Sequence, residues 1–195
     1  MEYDAAKTAC FTGPLPRNLY GYDARRYEPL ARELEKAVTS MRKNKYNTFI
    51  TGGAQGVDQI AFWAVNALKQ KARNAIKNVV FIPLENQDRY WAVSGTFSKQ
   101  DYKKILEHAT EIAYISKNVN PSDNNAVREA MLKRNRAMVD ASSLVIGVYP
   151  NNNWIKGDRA DPGTAYTLKY ALAQSKNIMV LNYNTMTWAS YAGKG

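Results

Sequence analysis

Six short runs of apolar or β-branched residues punctuate the chain. They are TACFT (8–12), TFIT (48–51), VVFIPL (79–84), EIAYIS (111–116), SLVIGVY (143–149) and IMVLNY (178–183). Most are continuous rather than alternating, the pattern of strands covered on both faces. Between them lie stretches of helical period. Residues 24–43 put Tyr27, Leu30, Leu34, Ala37, Val38 and Met41 on one stripe, with Pro29 tolerated in the first turn. Residues 57–73 offer Ile60, Ala61, Ala64, Val65 and Leu68; residues 124–140 offer Val127, Met131, Leu132 and Met138. A fourth helix is expected over 163–175, with Ala165, Leu168, Ala171 and Leu172 inward. Strands alternating with helices predict an α/β fold, a single three-layer sandwich around a mostly parallel sheet of about six strands. That domain occupies residues 1–183, and the last stretch, NTMTWASYAGKG (184–195), reads as an irregular tail.

Composition narrows the class. With 195 residues, 45% hydrophobic and 23% charged, the chain can bury one real core, and wholesale disorder is excluded. No uninterrupted apolar stretch of about 18 residues occurs, which excludes a membrane-spanning helix. The acidic start MEYDAAKTACF lacks a signal-like apolar region, so a cytoplasmic location is expected. Cys10 is the single cysteine and falls in a strand, where it reads as a small core thiol. The formal charge of +10 favours anionic partners: nucleic acids, anionic membranes or phosphorylated metabolites.

In open parallel sheets, ligands gather at the carboxyl ends of strands, which draws attention to four segments. After the first strand, FTGPLPRN offers Thr12, Gly13 and Arg17, a positively charged fork of donors or a surface residue on a Pro-stiffened turn. After the second, TGGAQGVD brings Gly52, Gly53, Ala54, Gly56, Val57 and Asp58 to a helix start. Such a start favours an anion through its unpaired N–H groups and dipole. The turn lacks the Lys and Ser/Thr of a P-loop and the G-x-G-x-x-G of dinucleotide folds. Asp58 reads two ways, as a helix cap or as an acceptor for ribose hydroxyls. The third segment, PLENQDRYW, supplies Glu85, Asp88, Tyr90 and Trp91, aromatic faces suited to a base or to core packing. The fourth, YPNNNWIKGDRADPGTAY, starts at Tyr149 and carries Trp154, Lys156 and Arg159 in a polar loop; Gly163 and Thr164 then open a second helix start.

Within REAMLKRNRAMVDASS, Arg128 and Asn135 lie seven apart on one helix face, with Arg134 and Arg136 flanking. Asn135 reads as surface or as pointing into the pocket. His108 has no Cys or Asp partner nearby in sequence and reads as structural. No metal-ligand spacing and no Gly-x-Ser-x-Gly elbow occurs, and no cofactor is expected.

Together, CFTGPLP, ITGGAQGVDQIAFWAV, PLENQDRYW, RNRAMVDASSLVIGVY and PGTAYTLKYA resemble the SLOG superfamily, nearest its YpsA-like branch, over roughly residues 8–183. The superfamily also contains DprA/Smf and the LOG phosphoribohydrolases. The resemblance implies a Rossmann-like fold and binding of nucleotides or nucleotide-derived ligands such as ADP-ribose-like molecules. It places Thr12, Gly13, Gly52, Gly53, Gly56, Asp58, Asn135, Gly163 and Thr164 in the pocket. Two departures stand out. The Gly-His-Arg-Pro common in YpsA-like chains is here Gly13, Pro14, Leu15 and Pro16, leaving Arg17 as the candidate replacement. The LOG stretch Pro-Gly-Gly-x-Gly-Thr-x-x-Glu, whose Glu is catalytic, aligns on Gly163 and Thr164. Thr167 then takes the place of that Glu, and Arg159, Ala160 and Asp161 replace the first Pro-Gly-Gly. A hydroxyl cannot replace a carboxylate in glycosidic cleavage.

The leading expectation is therefore a binding module that senses or sequesters a nucleotide-derived ligand, its phosphates at the helix starts of Gly56 and Gly163. The alternatives are a nucleotide hydrolase using Glu85, Asp88 or Asp58, and a DprA-like binder of single-stranded nucleic acid. A homodimer or higher homo-oligomer is expected by analogy with related folds.

Overall fold

The computed structural model describes residues 3–72, 75–156 and 160–193. Among them, seven strands form one sheet in the order β4-β3-β2-β1-β5-β6-β7. These are β1 (Thr8–Thr12), β2 (Thr48–Thr51), β3 (Lys77–Ile82), β4 (Glu111–Tyr114), β5 (Leu144–Tyr149), β6 (Asn177–Asn182) and β7 (Thr187–Tyr191). Five helices connect them: α1 (Glu28–Lys43), α2 (Val57–Lys71), α3 (Lys99–His108), α4 (Asn124–Asp140) and α5 (Pro162–Ala173). All neighbouring strands are parallel except β6 and β7. The chain winds outward from β1 through β2, β3 and β4, then returns to place β5 on the other side of β1. Right-handed crossovers put the two sets of helices on opposite faces of the sheet. On one face Phe11, Phe49 and Ile146 pack beneath Leu30, Leu34 and Val38 of α1 and Val65 of α2. On the other, Cys10, Ile50 and Val145 meet Met138 of α4 and Leu168 and Ala171 of α5. The α/β three-layer expectation is met, with one strand more than the sequence pattern suggested.

That extra strand is β7, so the stretch read as an irregular tail is corrected. Trp188 pairs with Leu181 of β6, and its indole N–H donates to Glu33 of α1 at 3.2 Å. An edge strand is half solvated and short, and Thr-Trp-Ala-Ser-Tyr carries no continuous apolar run to betray it. Helix α3 also lacked a strong pattern, since only Tyr102 and Ile105 are buried in its ten residues. Its start is nonetheless well specified: the Ser98 hydroxyl accepts from Asp101 N at 3.2 Å, and the Asp101 carboxylate accepts from Ser98 N at 3.3 Å. In α4 the inward stripe is rotated from the expected one. Ala130, Arg134, Met138 and Val139 are buried, whereas Met131 is 41% exposed.

Cys10 has no solvent exposure, and burial pushes its thiol up to about 12. The thiolate, which is the reactive form, is therefore absent from the native protein near neutral pH. Alkylation of Cys10 is expected to track global unfolding in denaturant; rapid labelling of the native protein at pH 8 would contradict this placement. Among the described residues no helix is long and apolar enough to cross a membrane.

Candidate functional site

The sheet changes winding direction between β1 and β5, the place where open parallel sheets gather ligands in a crevice at the carboxyl ends of their strands. Thr12 closes β1 there and is buried. The following loop lies across the start of α2. A Cβ at Gly13 would stand 2.5 Å from the Val57 side chain, and one at Gly56 (φ +85°) 2.6 Å from the Pro14 carbonyl oxygen. Val57 N donates to that carbonyl over a long 3.5 Å, and no side chain caps α2. Arg17 is exposed on the same loop.

The glycine turn before α2 is filled by the protein itself. A Cβ at Gly53 (φ +65°) would meet Val80, Tyr102 and the Gln87 amide between 3.0 and 3.2 Å. Gln87 Nε2 donates to Gly52 O at 3.3 Å and to the Tyr102 hydroxyl at 2.7 Å, pinning the turn from the loop after β3. At Gly52 the space a Cβ needs holds the guanidinium of Arg134, only 1.2 Å away. Glycine is required at 52 because an arginine from the opposite face of the sheet passes over it.

That arginine is the residue the sequence reading did not single out. Arg134 reaches from α4 across the end of β2 to Asp58 in the first turn of α2, Nη1 to Oδ2 3.3 Å. Their side chains are 8% and 9% exposed. Asp58 also accepts from Ala54 N at 3.2 Å. Burial pushes the Asp58 carboxyl above its ordinary value, against the opposing pull of Arg134 and the backbone groups of Ala54 and Gly52. Asp58 is thus neither a simple cap nor a lone anion facing the crevice. A signal was present: Arg134 stands one turn from Ala130 and one turn from Met138, on the buried stripe of α4.

The next residue of α4 ties down the other side. Asn135 Nδ2 donates to the Thr167 hydroxyl at 2.9 Å, and that hydroxyl donates to Gly163 O at 2.9 Å. Arg134 and Asn135 therefore link α4 to the first turn of α2 and the second turn of α5 respectively. The start of α5 carries its own anion. Asp161 Oδ1 accepts from Thr164 N at 2.8 Å, and Asp161 Oδ2 accepts from Asn18 Nδ2 at 3.1 Å. Asp161 N donates in turn to the buried Tyr149 hydroxyl at 3.4 Å. Gly163 is exposed, with only Asp161 Oδ1 near its open face at 3.7 Å.

The remaining candidates are spread more widely. Tyr90 is 84% exposed, with the Arg89 guanidinium 4.5 Å from its ring centre. Trp91 packs edge-on against Tyr102 at 5.2 Å, and Trp154 is fully buried against Tyr191 at 5.1 Å. Trp154 thus serves the core and presents no face to a base. Lys156 and Arg128 are exposed, and Arg159 lies outside the described residues. Glu85 and Asp88 line a separate cleft of about 460 Å³ with Asn86, Arg89, Lys99 and Asn118. His108 turns Nδ1 to Lys104 O at 2.8 Å and its ring onto Trp63, as expected of a structural residue. Among the described residues no group of three or more His, Cys, Asp or Glu is arranged to hold a metal.

Comparison with known proteins decides the lineage. The family model described as the YspA SLOG family (YpsA) matches residues 9–186, nearly the whole of the sheet and its helices. The chain belongs to the YspA SLOG family. A SLOG relative, the uncharacterized SPbeta prophage-derived protein YoqJ of Bacillus subtilis (strain 168), is 34% identical over 145 residues. The alignment covers 71% of this chain and 75% of the relative.

Within this SLOG fold, four buried polar atoms lack a protein partner close to the crevice's framework. They are Thr51 Oγ1 at the end of β2, Gln59 Nε2 and Thr164 Oγ1 in the first turns of α2 and α5, and Arg134 Nε. Native interiors hold few such atoms, and each calls for an explanation.

Proposed function

We propose that this SLOG chain binds a nucleotide or nucleotide-derived small molecule, such as an ADP-ribose-like compound, in the crevice between β1 and β5. The observation that carries the reading is the set of buried polar atoms without a protein partner at the end of β2, on Arg134, and in the first turns of α2 and α5. An unsatisfied buried donor costs about 1–3 kcal/mol, and a phosphate or hydroxyl-rich ligand offsets that cost. An anion is best accommodated against Arg134 and the uncapped first turn of α2. Asp58, already joined to Arg134, repels it less than a lone carboxylate would.

Binding is favoured over cleavage by the disposition of the acids. Asp58 is bound into an ion pair, while Glu85 and Asp88 line another cleft. Thr167, where LOG enzymes carry Glu, is engaged by Asn135 and Gly163. Among the described residues no pair of free carboxylates flanks the crevice in the manner that glycosidic cleavage uses. The charge of +10 supports the alternative, a nucleic-acid partner, whose affinity would grow with oligonucleotide length and fall steeply with salt.

Titration calorimetry with AMP and ADP-ribose, followed by chromatography of the recovered ligand, tests the proposal. One site per chain and intact ligand are expected. The double variant Asp58→Asn/Arg134→Met, which avoids stranding a buried charge, is expected to weaken binding at least tenfold, the loss of a charge-assisted hydrogen bond of roughly 1.5–3 kcal/mol. Released base or phosphate, or oligonucleotide binding that AMP fails to displace, would overturn it.

A further inference from the structure

We propose that Asp161 makes the α5 side of the crevice an acceptor for sugar hydroxyls and closes it to a second anion; this rests on the binding function proposed above. A helix start normally attracts negative charge, and α5 satisfies that attraction internally through the Asp161 carboxylate on Thr164 N. A phosphate brought to the same place meets a like charge. Among the described residues no lysine or arginine pairs with Asp161, in contrast to Asp58, which Arg134 neutralises.

Asp161 is 7% exposed and still has acceptor capacity. A carboxylate offers about four lone-pair positions, and here one oxygen takes Thr164 N and the other Asn18 Nδ2. Beside it the Thr164 hydroxyl, 1% exposed, has no partner. An acceptor with spare capacity next to an unpartnered hydroxyl matches the edge of a ribose diol, which both donates and accepts. The loop after β1 connects the two ends of the crevice: Pro14 touches the α2 start and Asn18 holds Asp161. The ligand class is therefore a nucleoside phosphate with its anion on the Arg134 side and its sugar hydroxyls toward α5.

The test is a crossed comparison of wild type and Asp161→Asn by titration calorimetry with AMP, 2′,3′-dideoxy-AMP and inorganic pyrophosphate. Asparagine keeps the helix cap, so the melting temperature is expected to stay close to wild type. AMP is expected to bind the variant roughly tenfold more weakly, dideoxy-AMP equally to both proteins, and pyrophosphate more tightly to the variant. AMP and pyrophosphate affinities moving in the same direction, or neither moving, would overturn the role of Asp161 while leaving the binding function standing. Failure of the wild type to bind AMP, dideoxy-AMP or ADP-ribose would overturn both.

Discussion

Replacing Asp58 with alanine is expected to lower the unfolding free energy by about 3–5 kcal/mol, the usual cost of stranding one member of a buried ion pair. The Arg134 side chain is 8% exposed and has Asp58 as its ion-pair partner at 3.3 Å. Without that carboxylate, a charge remains in the interior with an Nε that already lacks a hydrogen bond. The pair itself need not add much stability, because both ions lost their hydration on folding. Asp58→Asn/Arg134→Met should accordingly be much less destabilised than Asp58→Ala alone. Urea denaturation of the three proteins checks this. A loss below about 1 kcal/mol for Asp58→Ala, as for a surface pair, would mean that Arg134 is not held as described.

Gly52→Ala is expected to be nearly as damaging, although it adds one methyl group. Its Cβ would fall 1.2 Å from Arg134 Nη1, 2.2 Å from Cζ and 2.6 Å from Asp58 Oδ2. A flexible arginine on a surface would swing away, but this one would have to abandon Asp58 in a buried setting. Overpacking of about 1–3 kcal/mol is then joined by part of the ion-pair loss. In an Asp58→Asn/Arg134→Met background the steric conflict with the guanidinium is gone, and the same Gly52→Ala change should cost markedly less. A coupling energy within about 0.5 kcal/mol of zero, the additive limit for independent sites, would exclude direct contact.

The sequence made the parallel core legible because its strands are covered on both faces. Runs such as SLVIGVY therefore stand out as unbroken apolar stretches, and all six inward positions expected over 24–43 are buried. Elements that rest on one face only were harder to see. The β7 strand at the sheet edge has no fully buried position, and α3 buries two side chains. The glycine turn after β2 was legible as special, but the reason was not. A close approach at Gly52 reads the same in sequence whether a ligand or an arginine makes it. The partner lies 76 residues from Asp58, in a helix whose charged residues resemble a solvated face. Likewise Asp161 looked like the loss of a phosphate-binding glycine, and only the placement of Thr164 and Asn18 gives its carboxylate a position and two donors.

Whether the crevice between β1 and β5 holds a nucleotide-derived small molecule is decided by mass spectrometry of the small molecules released on denaturing freshly purified protein, with a nucleotide panel added back to the emptied chain and followed by thermal shift. An intact phosphate-bearing nucleoside compound is expected, near one per chain, that raises the melting temperature of wild type and not of Asp58→Asn/Arg134→Met. A protein that releases no such compound, and whose melting temperature no nucleotide in the panel raises, would contradict it.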